Sequence, residues 1–141
     1  MKAINTYKNV AITSEIYTAD PHRVIQLLMQ GFMDKIIQAK SAMSRNVCSE
    51  KSESLDRALK IINGLLSSID MEKGGDLSEN LKFLYNYMSK RIFDANVKND
   101  TEILDEVYRL MTTVKEGWDL IPQSVKDDHK VSMQKLRVGA I

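Results

Sequence analysis

Cysteine is almost missing from this sequence. Cys48 is the single thiol among 141 residues, so no disulfide can form within the chain. A lone thiol fits a reducing compartment. Proline is nearly as scarce: only Pro21 and Pro122 occur, and the 100 residues between them hold none. That gap favours long unbroken helices. Strand signals are missing as well. No stretch alternates for long, and no Asn-Gly or Asp-Gly hairpin turn joins two alternating runs. Nothing approaches the ~20 apolar residues of a membrane-spanning helix. The start, MKAINTYKNVAI, lacks the apolar stretch of a signal peptide. Charge of one sign is not in excess either. Twenty basic residues face nineteen acidic ones for a net charge of +1, which argues against a broad nucleic-acid-binding surface. These absences together predict a soluble, cytoplasmic, all-helical protein.

What is present supports a core. Hydrophobic residues make up 43% and charged residues 28%, a mixture that excludes disorder throughout and suits one domain. Residues 1–19 read as an arm, apolar at Ile4, Tyr7, Val10, Ile12, Ile16 and Tyr17 but without a lasting period. Asp20-Pro21 is a helix start, with Asp20 as N-cap and Pro21 in the first helical position. A first helix is predicted from there to about Ser44, with Gly31 on its apolar face allowing close approach to a neighbouring helix. A polar loop follows over 45–52. A second helix is predicted from about Ser54 to Met71, striped by Leu55, Ala58, Ile62, Leu65 and Ile69, and ended by Gly74-Gly75. Asp76 and Glu79 then resemble a capping box for a third helix to about Val97. Asn99-Asp100 makes a short turn and caps a fourth helix, which Pro122 stops. Residues 123–141 form a polar tail or a short fifth helix. Helices joined by short loops imply an antiparallel four-helix bundle over 20–122.

Chemistry is hard to find. His22 and His129 stand far apart, without a Cys, Asp or Glu at a metal-binding spacing, and both read as surface histidines. Asp127 and Asp128 look like solvated charge. Cys48 has only Arg45 and Lys51 nearby and reads as an inert thiol. No P-loop pattern surrounds Gly74-Gly75. Neither a catalytic set nor a metal or cofactor site is expected.

The strongest signal is surplus apolar surface. In the stretch LYNYMSKRIFDANVKND (84–100) and the residues just before it, Leu77, Leu81, Leu84, Met88, Ile92 and Ala95 already form a full stripe. Phe83 and Tyr87 flank it on one side and Tyr85 on the other. The apolar arc spans roughly 200°, about twice what one core requires. Eight methionines add to the picture. Met29, Met33, Met71 and Met111 lie on or beyond the stripe edges, where they either fill the core or serve an adaptable binding surface. The surplus fits a wider core, a homodimer seam or a groove for a partner helix.

Four local patterns resemble one family. TADPHRVIQLL (18–28) resembles the start of the first helix in the flagellar export chaperone family FliS. IDMEKGGDLSENL (69–81) resembles its junction between helices two and three. LYNYMSKRIFDANVKND resembles its most recognisable stretch, with Asn86 and Lys90 where the family usually has Asp and Arg. Trp118 matches a tryptophan near the end of helix four. The resemblance spans about residues 4–121. It implies a non-enzymatic, cofactor-free cytoplasmic chaperone that binds the disordered C-terminal segment of flagellin. Such a chaperone prevents premature polymerisation and delivers flagellin to the flagellar type III export apparatus. The client is expected in apolar grooves, one of them built by helices two to four. The candidate client-binding residues are Ile61, Leu65, Tyr85, Met88, Ile92, Asn96, Leu104, Tyr108 and Met111. Which edge of helix three faces the client stays open. The family pattern Ile-x-x-Tyr is matched by Ile4 and Tyr7. With Val10, they mark an arm that covers the groove or docks at the export gate protein FlhA. Flagellar regulators are further partners implied for the family.

Overall fold

The computed structural model describes residues 20–121. The arm residues Ile4, Tyr7 and Val10, the tail 123–141 and His129 lie outside that range. The described residues form four helices and no strand: α1 (Pro21–Ser44), α2 (Cys48–Ser67), α3 (Gly75–Lys98) and α4 (Thr101–Asp119). Each helix packs on two neighbours, in the ring α1–α2–α3–α4–α1. Successive helices run antiparallel. The start of α1 meets the end of α4 through His22 and Trp118. The start of α2 meets the end of α3 through Lys51 and Asn99. This is the expected four-helix bundle.

The helix starts follow from local chemistry. Asp20 caps α1 by accepting a hydrogen bond from the Arg23 N–H at 2.9 Å, with Pro21 in the first turn. Asp100 caps α4 in the same way through the Glu102 N–H at 2.9 Å. Between α3 and α4 the chain turns at Asn99, whose φ of 52° is left-handed. Asparagine tolerates that conformation better than most residues. Lys51 Nζ then donates to the Asn99 side chain and to the Asn96 carbonyl, placing a cation on the open carbonyl end of α3.

Three local readings need correction. First, α2 begins at Cys48, inside the segment read as loop, and ends at Ser67 rather than near Met71. Its first two turns, CSEKSES, carry no apolar period. They are supported instead by Glu50 near the helix N-terminus, paired with Arg45 at 2.9 Å, and by the Glu53–Arg57 pair one turn apart. Asn63-Gly64 lies within this helix and makes no turn.

Second, Gly74-Gly75 opens α3 rather than closing α2. Asp76 and Glu79 form no capping box, and the N-cap is Gly74 without a side-chain bond. The turn before it is organised by Asp70, whose carboxylate accepts from the N–H groups of Glu72 and Lys73. The Asp70 carbonyl accepts from Ser78 Oγ at 2.8 Å. A Cβ on Gly74 would collide with that serine and with that carbonyl, so glycine is required there by space.

Third, Gly31 is not pressed against a neighbouring backbone. A Cβ placed on it would lie 3.6 Å from the Ile61 side chain, an ordinary contact.

The core is continuous through all four helices. Met29, Phe32, Ile36, Ile62, Leu65, Tyr85, Met88, Ile92, Leu104, Val107 and Met111 are fully enclosed. Of the methionines weighed above, Met29, Met33 and Met111 are core and Met71 is exposed. For those three, gap-filling is the role the packing supports.

Candidate functional site

Helix α3 has two apolar faces. The inner one carries Tyr85, Met88, Ile92 and Ala95, all buried. The outer one carries Phe83, Phe93 and Val97, exposed by 70%, 65% and 68%. At 100° per residue, Phe83, Lys90 and Val97 drift by only ~20° per seven residues, so they line up along one stripe. Phe93 falls beside it. The stripe runs about 21 Å at 1.5 Å per residue. Of the surplus read from the sequence, Phe83 lies opposite the core, facing away from the bundle, and Phe93 and Val97 join it there.

Of the two flanks that the sequence left open, neither is the exposed one as a whole. Tyr85 is 2% exposed and sits among the core side chains. Its surface assignment is therefore corrected. Burial pushes its phenol well above the usual range. Tyr87 is half-buried and donates its hydroxyl to Glu106 Oε2 at 3.1 Å. Glu106 also accepts from Arg91 Nε at 2.8 Å, and Arg91 reaches Asp94 at 3.1 Å. The Arg91 hydrogen bond is the main reason the Glu106 carboxyl is held below its ordinary value, with a smaller contribution from Tyr87. This network ties α3 to α4. Phe83 alone of that flank is free of the bundle.

The other expected client-binding residues do not form one surface. Leu65, Met88, Ile92, Leu104 and Met111 are buried with Tyr85 in the common core. Ile61 stands in the α1–α2 seam beside Gly31. Asn96 is exposed on α3, and Tyr108 packs half-buried against the core from α4. Phe93 and Val97 escaped the sequence reading. The signal available for them was the seven-residue spacing of Phe83, Lys90 and Val97, opposite the Met88–Ala95 stripe.

His22 is not a surface residue. It is 7% exposed, and its ring stacks on Trp118 with centroids 5.1 Å apart. His22 Nε2 bonds the Trp118 carbonyl at 2.8 Å, and Trp118 Nε1 donates to the His22 carbonyl at 3.1 Å. A dimple of about 10 Å³ beside this pair is lined by Ile25, Ile69, Leu77, Leu81, Tyr85 and Trp118. It is about the size of one water and too small for a ligand. Among the described residues, no group of three or more His, Cys, Asp or Glu could hold a metal ion. No helix among them is long and apolar enough to cross a membrane.

A family model described as "Flagellar protein FliS" matches residues 3–125. The chain belongs to the FliS family. It is 47% identical over 119 residues to a "Flagellar secretion chaperone FliSB" of Pseudomonas aeruginosa, covering 84% of this chain and 94% of that one. It is 41% identical to the "Flagellar secretion chaperone FliS" of Vibrio cholerae, covering 85% of this chain and 88% of that one. Against the FliS of Salmonella typhimurium the identity is 35%, over 84% of this chain and 88% of that one. FliS is a chaperone family, and membership supports an export-chaperone role for this chain.

Proposed function

We propose that this protein is a flagellin-specific export chaperone. It holds the disordered C-terminal segment of flagellin in the cytoplasm, blocks premature polymerisation and hands the subunit to the export apparatus at FlhA. The observation that carries this reading is the outer face of α3, where Phe83, Phe93 and Val97 stand uncovered together on one helix, whereas Ile37 and Leu120 are exposed on other elements. Burying them would release on the order of 4 kcal/mol, since full burial of such side chains is worth about 1.5–3 kcal/mol each. A client helix of about ten residues loses roughly 10 kcal/mol or more of backbone entropy on ordering. One face therefore cannot hold the client alone. An extended segment that wraps the bundle and touches it at several places supplies the rest. Ile61, Asn96 and Tyr108 are accessible points for such additional contact.

In this reading Ile4, Tyr7 and Val10 act as an arm that covers apolar surface before the client arrives, or as the docking element for the gate. Removing residues 1–17 then increases self-association of the empty chaperone. A truncated protein that stays monomeric by light scattering at high concentration rules out the covering role. The function itself is tested by isothermal titration of the full chain with flagellin C-terminal segments. Saturable one-to-one binding is expected. Absence of heat and of any shift in sedimentation with every candidate flagellin would sink the reading.

A further inference from the structure

Most charged side chains on this bundle have partners. Lys40 pairs with Asp105, Arg45 with Glu50, Arg57 with Glu53, Lys60 with Asp56, Arg91 with Asp94 and Glu106, and Lys115 with Asp119. Lys35 donates to Gln38, and Lys51 caps α3. On α3 the pattern breaks. Lys82, Lys90 and Lys98 are exposed, with no carboxylate in ion-pair range among the described residues. Lys90 lies on the line between Phe83 and Val97, and Lys82 falls on the same side as Phe93. At 100° per residue Lys98 borders the stripe on its opposite side. Between residues 82 and 98 the outer face of α3 thus combines exposed apolar side chains with an excess of three lysines, Asp94 there being paired with Arg91, while Asp76 and Glu79 make the first turns of the same face acidic.

We infer that the outer face of α3 receives an amphipathic helix whose apolar stripe is bordered by acidic side chains. The inference rests on the reading of this face as the client-binding face, and it adds the chemistry of the occupant. The apolar side chains supply the burial, and the lysine ammonium groups select the charge of the flanks. The stripe from Phe83 to Val97 matches about four turns of a partner helix. A second copy of this chain is a poor occupant. A two-fold contact sets a patch against itself and would bring Lys90 near Lys90. Like charges opposed in this way select against self-pairing.

The test uses the full chain and two synthetic helical peptides with the same leucine stripe, one flanked by glutamate and the other by lysine. Fluorescence anisotropy at low salt is expected to show the glutamate peptide binding at least tenfold tighter. The triple variant K82E/K90E/K98E is expected to reverse that order, and raised salt to shrink the preference in both proteins. Equal affinities, or an order unchanged by the charge reversal, overturn the inference. Binding of wild-type protein to vesicles rich in phosphatidylglycerol, lost in the triple variant and without any peptide preference, overturns it in favour of a lipid surface. A fourth measurement separates this inference from the reading beneath it. If Phe83→Ser/Phe93→Ser leaves binding of a flagellin C-terminal segment unchanged, the placement of the client on α3 is wrong. If that variant loses binding while the peptides show no charge preference, only the acidic flanks are wrong.

Discussion

The seam between α1 and α4 and the outer face of α3 both display aromatic side chains, and they use them in opposite ways. At the seam, Trp118 is 4% exposed, stacked on His22 and tied to it by two reciprocal hydrogen bonds. On α3, Phe83 and Phe93 touch little of the bundle and have no polar atom to satisfy. A buried indole needs a partner for its N–H, which fixes it to one place. A phenyl ring has no such demand and can wait for a partner of any backbone. The seam spends its aromatic surface on stability, whereas α3 leaves it unspent.

The contrast can be broken experimentally at several points. The largest effect is expected at the seam. Trp118→Ala should cost about 3–5 kcal/mol in urea unfolding, the range for removing a large buried aromatic. A loss under about 1 kcal/mol would show that the seam is not a stability element. Next comes the outer face. Phe83→Ser with Phe93→Ser should change stability by no more than about 0.5 kcal/mol, as exposed substitutions do. Affinity for the flagellin segment should fall by about tenfold or more, because about 1.4 kcal/mol of lost burial suffices. A lowered melting temperature with intact binding would reverse the roles of the two regions.

His22→Phe keeps a ring in the seam and removes one hydrogen bond. The Trp118 carbonyl still accepts from the Ile121 N–H at 3.2 Å, so it is not left bare. The expected cost is about 1 kcal/mol. A loss as large as that of Trp118→Ala would mean that the hydrogen bond, and not the stacked ring, holds the seam.

The smallest effect concerns Glu106, which borders the α3 face. Its carboxyl is held below the ordinary glutamate value, chiefly by the hydrogen bond from Arg91. A depressed folded pKa adds stability above the unfolded value, and that stability is lost as pH falls through the folded pKa. Because the pair is partly solvated, the contribution should stay below about 1 kcal/mol. Glu106→Gln should therefore flatten the stability profile below pH 4.5 and alter it little between pH 6 and 8. An unchanged acid limb in the variant would remove this network from the account.

Much of the fold is legible from short-range chemistry. Asp20-Pro21 and Asp100 mark helix starts because the cap is a bond to a backbone N–H two or three residues away. The first turns of α2 are hidden because charge pairs, rather than an apolar stripe, support them. The buried state of His22 is hidden for a different reason. Its partner lies 96 residues away at the far end of α4, and nothing local announces it. The site is the least legible part. A 200° apolar arc shows that α3 has more apolar surface than one core needs, but the inward sector is set by where α2 and α4 pack. Tyr85 falls inside that sector and Phe83 outside it, although both flank the same stripe. Leu77, on the predicted stripe, is 44% exposed in the first turn of α3.

The hydrogen bonds between His22 and Trp118 also set the molecule's polarity as an object. They bring the two ends of the described chain to one pole, together with the 68–74 turn. The opposite pole holds only the tight turns at 45–47 and 99–100. Anything tethered to the arm and anything tethered to the tail must therefore start from the same place. The same geometry makes the bundle a candidate for circular permutation, with a short linker from residue 121 to residue 20 and new ends opened at Asn99-Asp100. In such a permutant the arm and tail could be moved to the other pole without moving the outer face of α3, which separates what the tethers do from what the face does.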